Sequence, residues 1–211
     1  MKILRSLFLV IFLSACQSSW LSALVTQAGQ PLYHDDFSDP SSGWIQTTGP
    51  NGSLGYASGA YQIQVQSAGY DLWAASGQVY GDVQVEVDAT WLAGPLDNRF
   101  GLICRFQDPD NFYVFFVTSD GYYAIGKIKA GAAALLGQEM MAYNSSIQPG
   151  QATNHLRFDC VGNTLKGSVN GQVLALTSDT DFASGDAGLI VGAFDEGGVE
   201  IGFDNFVVIK P

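Results

Sequence analysis

From residue 31 onward the chain alternates. Apolar and polar side chains change places in short runs, and Gly, Asn, Asp or Pro interrupts them roughly every ten residues. Val83-Gln84-Val85-Glu86-Val87-Asp88-Ala89-Thr90-Trp91 is the clearest run. Successive side chains of a strand point to opposite faces, so this segment reads as a strand with one apolar and one polar face. Phe112-Tyr113-Val114-Phe115-Phe116-Val117 is apolar on both faces, which places it mid-sheet. Residues 164–169 and 172–176 flank Asn170-Gly171, a pair that readily takes the two positive φ angles of a type I′ hairpin turn. Ser119-Asp120-Gly121 and Val161-Gly162-Asn163 mark two further hairpins. Ala132-Ala133-Ala134-Leu135-Leu136, bounded by Gly131 and Gly137, is expected to make one helical turn and no more. Roughly a dozen short strands and no longer helix imply an all-β sandwich or barrel.

The 211 residues suit one domain with a short appendage, and a 47% hydrophobic composition is enough to fill a core. The formal charge is -11, although Lys2 and Arg5 supply two of the nine basic residues before the first acidic one. So acidic a surface repels phosphate backbones, which argues against nucleic acid as a partner.

The N-terminus reads as an address. Lys2 and Arg5 precede the apolar run Leu7-Phe8-Leu9-Val10-Ile11-Phe12-Leu13, which is too short to span a bilayer as a helix and has the form of a secretory signal. Leu13-Ser14-Ala15-Cys16 resembles the lipobox of bacterial lipoproteins. That resemblance implies cleavage before Cys16, acylation of its thiol, and export to the periplasm or cell exterior on a lipid bilayer anchor. The alternative is an ordinary signal peptide with a bystander cysteine. The expected division is a signal peptide over residues 1–15, the lipidated Cys16 with a tether to residue 30, and a domain over residues 31–211. Removing Cys16 leaves Cys104 and Cys160, an even pair in an oxidising compartment. Parity puts Cys104 on a face with Leu102 and Phe106, and Cys160 with Leu156 and Phe158. Both sulfurs then point to the core, where a disulfide is expected; two reduced buried thiols are the alternative.

A wider resemblance rests on His34-Asp35-Asp36-Phe37-Ser38 leading to Gly43-Trp44, on Phe100-Gly101-Leu102-Ile103-Cys104-Arg105-Phe106, and on Asp110-Asn111-Phe112-Tyr113. Asn154-His155-Leu156-Arg157, Gly188-Leu189-Ile190 and Phe203-Asp204-Asn205-Phe206 continue it. The pattern resembles the concanavalin A-like lectin/glucanase jelly rolls, and implies a two-sheet antiparallel β-sandwich. That fold hosts lectins, glycosidases, lyases and spacer domains, so it does not specify a function.

The glucanases of this superfamily carry a Glu-x-Asp-x-x-Glu strand. Here Glu86-Val87-Asp88 begins such a pattern, but Trp91 stands where the second catalytic carboxylate belongs. His34 and His155 have no nucleophile-elbow context, and no Gly-x-Ser-x-Gly occurs, so no catalytic residue is assigned. The resemblance also implies a possible structural Ca²⁺, for which Asp36 and Asp39 near the first strand and Asp204 at the last are the candidates. The bland reading is turn-forming Asp. No other cofactor is expected.

What remains is a binding face. Taking the side opposite the core on each strand selects Glu86, Asp88, Arg105, Tyr113, His155 and Arg157, with Trp73 as an aromatic platform. Flat rings beside Arg and carboxylates suit sugars, although these charges could simply pair with one another. The expectation is non-catalytic binding of carbohydrate or another extracellular polymer. The competing readings are a glycoside hydrolase or lyase with an atypical site on the concave sheet, and an adhesion module contacting proteins.

Overall fold

The computed structural model describes residues 28–211; the signal segment, Cys16 and most of the expected tether lie outside the described residues. The first eight strands are β1 (Pro31–Asp35), β2 (Thr47–Gly49), β3 (Gly52–Ala57), β4 (Ala60–Val65), β5 (Asp71–Ala75), β6 (Val83–Ala93), β7 (Asn98–Asp108) and β8 (Asn111–Val117). The rest are β9 (Tyr122–Lys129), β10 (Ala132–Leu135), β11 (Ala142–Tyr143), β12 (Thr153–Val161), β13 (Thr164–Val169), β14 (Gln172–Ser178), β15 (Asp186–Ala193) and β16 (Val199–Ile209). No helix occurs among the described residues.

The strands form two antiparallel sheets. A nine-stranded sheet runs β14-β13-β12-β6-β16-β4-β3-β2, with β1 also on β16. A seven-stranded sheet runs β10-β9-β8-β7-β15-β5, with β11 also on β9. Strand β6 behaves as its alternation requires: Val83, Val85, Val87 and Ala89 are buried, and the residues between them are half-exposed. Across the core they share one cluster with Phe100 and Leu102 of β7, Phe115 of β8, and Leu189 and Val191 of β15. Each such side chain fully removed from water contributes about 1.5–3 kcal/mol, which is what holds the two layers face to face.

Asn170 and Gly171 have φ of 51° and 81°, as a type I′ turn between β13 and β14 demands. The helical turn expected at Ala132–Leu136 is replaced by strand β10, paired residue for residue with β9. Ala130 and Gly131, at φ 49° and 77°, reverse the chain. The open edge of β9 offers the alanines backbone partners that a single isolated turn of helix lacks, and this outweighs alanine's local preference.

Cys104 and Cys160 form a disulfide that joins β7 of one sheet to β12 of the other. Next to it the parity of β7 breaks. Phe106 pairs with Asp186 and Ile103 with Gly188, so β7 holds one residue more than β15 over this stretch. Arg105 takes φ 51° in the bulge. Its side chain turns inward and is 2% exposed, while Phe106 moves to the outer face, packed near Phe112.

Candidate functional site

A groove with a volume of about 470 Å³ crosses the outer face of the seven-stranded sheet. Its floor is read from the register, because cross-strand partners share a face. One row runs Trp73, Ile190, Gly101, Phe116 from β5 to β8. A second runs Ala75, Gly188, Ile103, Val114, Gly126, Leu135. Phe112, Ile128 and Ala133 make a third, and Asp71, Gly192 and Arg99 a fourth beyond the Trp73 row. Gly126 lines the groove among these side chains, while a Cβ at Gly101 or Gly188 would lie 2.1 Å from the backbone of the neighbouring strand. Trp73 and Phe116 stand three strands apart, roughly 14 Å by strand spacing. Each is half-buried, so part of each side chain remains open to a ligand.

The fourth row supplies the polar end. Arg99 Nε donates to Asp71 Oδ1 at 2.6 Å, and the guanidinium carbon sits 4.6 Å from the centre of the Phe194 ring. A Cβ at position 192 would lie 1.9 Å from Asp71 Oδ1 and 2.5 Å from Arg99 Nε. The ion pair therefore lies directly over β15, in space that only glycine leaves free. The groove's other carboxylate, Asp110, belongs to the turn between β7 and β8.

Of the residues selected from the sequence, Trp73 alone lines this groove. Glu86, Asp88, His155 and Arg157 do come together, but on the outer face of the nine-stranded sheet, through the β6–β12 register. There they satisfy each other. Arg157 Nη1 donates to Glu86 at 3.0 Å and its Nε to Asp159 at 2.7 Å. His155 Nδ1 lies 2.8 Å from Asp88, whose other oxygen accepts from Asn205 at 3.0 Å. The Asp159 bond, ahead of the opposing desolvation, raises the Arg157 pKa.

Arg105 and Tyr113, expected on an exposed face, are both interior. The bulge turned Arg105 inward; β8 is apolar on both faces, so alternation could not say which side faced the core. Tyr113 and Phe115 face it, and Phe112, Val114 and Phe116 line the groove. The Tyr113 hydroxyl donates to Asp179 at 2.6 Å and accepts from the Phe182 amide at 3.1 Å; burial, reinforced by the Asp179 bond, pushes its pKa up to about 12.

Asp179 and Asp181 also receive the Lys127 ammonium. Burial works to raise the Asp179 pKa, but the bonds from Lys127, Tyr113 and the Asp181 amide together hold it below the usual range. Lys127 and Lys129 lower that of Asp181, and the pair of aspartates raises that of Lys127. Carboxyls depressed in the folded state contribute stability above about pH 4, the unfolded value, and lose it as pH falls through the folded one. Raised Lys127 contributes below about pH 10.4 and loses it above. Asp179→Asn is expected to lower stability by about 1–2 kcal/mol at pH 7 and to flatten the acid limb of a urea-midpoint-against-pH curve. An unchanged acid limb would show that this cluster does not set it.

The three calcium candidates are each occupied locally. Asp36 accepts from Ser38 Oγ at 2.7 Å and Asp39 from Ser41 Oγ at 2.7 Å, which lowers both pKa values. Asp204 accepts from the Asn205 amide at 2.7 Å. Among the described residues no group of three or more His, Cys, Asp or Glu side chains is placed to hold a metal ion.

Sequence reasoning missed Asp71, Arg99 and the rows that bring them beside Trp73. The spacing Gly188-Leu-Ile-Val-Gly192 and the position of Gly101 and Gly126 within apolar strands were the available signals.

No family model and no curated protein matches the chain. Solved structures do. The carbohydrate-binding module CBM66 from Bacillus subtilis is similar with a TM-score of 0.64 and 22% identity, over 80% of this chain and 96% of that one. A Bacillus subtilis protein of unknown function with a galectin-like fold gives 0.65 at 12% identity, over 87% and 97%. The Bacillus licheniformis beta-glucanase gives 0.60 at 13% identity, over 88% and 99%. The fold is a jelly-roll β-sandwich. Identities this low carry the architecture alone, and the groove's chemistry has to come from this chain's own residues.

Proposed function

We propose that the chain is a non-catalytic carbohydrate-recognition domain, exported and anchored through acylated Cys16, whose ligand lies in the groove of the seven-stranded sheet. The observation that carries this reading is the row in which Trp73 and Phe116 flank Ile190 and Gly101, with the Asp71–Arg99 pair beside it. Apolar rings suit the C–H faces of a sugar, and a fixed donor–acceptor pair suits its hydroxyls. The likeness to a carbohydrate-binding module supports the same reading. A non-catalytic role fits the placement of the groove's two carboxylates. Retaining hydrolysis needs two about 5–5.5 Å apart; in the groove Asp71 is engaged with Arg99 on edge strand β5, and Asp110 sits in the turn after β7. The anchor rests on Leu13-Ser14-Ala15-Cys16 and the apolar run before it.

Titration of the chain from residue 28 onward, which holds both sheets and their shared core, against a polysaccharide panel tests this. Trp73→Ala is expected to weaken binding about thirtyfold or more, the loss of a ~2 kcal/mol anchor. Cleavage of any saccharide by the purified protein, or binding indifferent to Trp73, would overturn the reading. For the anchor, Cys16→Ser is expected to move the protein from the membrane to the soluble fraction.

A further inference from the structure

The Asp71–Arg99 pair is held more tightly than a surface ion pair needs to be. Arg99 Nε is bonded to Asp71, its guanidinium plane is backed by Phe194, and the pair is pressed onto β15 at a position where any side chain would displace it. Three restraints fix one orientation. The hydrogen bond uses one nitrogen and one oxygen only: among the described residues neither terminal amino group of Arg99 nor Asp71 Oδ2 has a protein partner. The side chains are 22% and 34% exposed and border the groove. Two residues along β5, on the same face and roughly 7 Å away, stands Trp73.

Resting on the saccharide reading above, we infer that the Asp71–Arg99 pair reads two adjacent hydroxyls of one neutral sugar ring, the ring whose apolar face lies on Trp73. A vicinal diol matches the pair's unused capacity. One hydroxyl oxygen accepts from an Arg99 amino group, and the other hydroxyl donates to Asp71 Oδ2. A uronic acid does not match it. Its carboxylate would meet Arg99 but lie against the Asp71 carboxylate, on a protein that already carries a formal charge of -11. The site is thus a donor and an acceptor side by side with no net charge, which selects neutral diols and rejects anions.

Wild type, Asp71→Asn, Arg99→Ala and Trp73→Ala are each titrated against a neutral β-glucan, a fructan, an arabinoxylan and polygalacturonate, with thermal melts confirming that each variant is folded. Binding of a neutral polysaccharide but not polygalacturonate is expected. Asp71→Asn and Arg99→Ala should each weaken it about tenfold to hundredfold, the effect of losing a hydrogen bond to a charged group. Binding that needs Trp73 yet changes less than about twofold in both pair variants would overturn this inference and leave the saccharide reading standing. Tighter polygalacturonate binding by Asp71→Asn than by wild type, with that polymer the best ligand, would replace the diol by a carboxylate. If none of the four polymers binds, both readings fall together.

Discussion

Arg105→Met should unfold about 3–5 kcal/mol more easily than wild type, measured by urea denaturation, while the folded fraction keeps its ligand affinity. The guanidinium is the polar centre of the region where the two sheets meet. Nη1 donates to the Phe182 carbonyl at 2.8 Å, and Nη2 to the Gly162 carbonyl at 2.7 Å, with Asp82 at 3.1 Å and the Cys160 carbonyl at 3.4 Å. Methionine fills a similar volume but donates nothing, so the Phe182 and Cys160 carbonyls lose this partner in the interior, whereas the exposed Gly162 can turn to water. Asp82 would suffer least, being half-exposed and still bonded to the Gly162 amide. The Arg105 Nε has no hydrogen-bond partner among the described residues, so the two terminal nitrogens carry all of its bonds. Stability unchanged with ligand binding lost would mean that Arg105 turns outward to read the ligand after all.

Removing the disulfide is expected to have an effect of similar size. Cys104 and Cys160 are 56 residues apart, and closing a loop of that length restrains the unfolded chain by about 4 kcal/mol in the chain-entropy model. Cys104→Ala/Cys160→Ala should melt about 10 °C lower in a domain of this size, and reduction of the wild type should give the same shift. A melting temperature indifferent to reductant would show that the bond does not restrain the unfolded ensemble. Because Arg105 follows Cys104 in sequence and reaches the Cys160 carbonyl, the two losses should not add. Once the crosslink is gone, β7 and β12 can separate, and part of what Arg105 contributes goes with them.

The strands legible in the sequence were those with one wet face. In β6, Val and Ala alternate with Gln, Glu, Asp and Thr, so the buried side declares itself; Asn170-Gly171 declares its turn by the same local chemistry. Parity failed in two places, each for a separate cause. At Arg105 one inserted residue reversed the phase of everything after it, exchanging Arg105 with Phe106. In β8 both faces were apolar, because the outer one floors a groove, and alternation carries no information there. The charged face of β6 and β12 was legible as well, and in the structure its side chains bond to one another.

By itself the sequence determined the class: a period of two, broken by turn residues, implies an all-β sandwich or barrel, and the resemblance to jelly rolls pointed to the two-sheet form. It also determined that Cys104 and Cys160 look inward. The groove's polar end was decided only by tertiary structure. Asp71, Arg99 and Gly192 belong to three strands far apart in the chain, and nothing local couples them. Only the register of β5, β15 and β7 lays the carboxylate, the missing side chain and the guanidinium in one row, because cross-strand neighbours are chosen by backbone pairing and core packing, not by sequence distance.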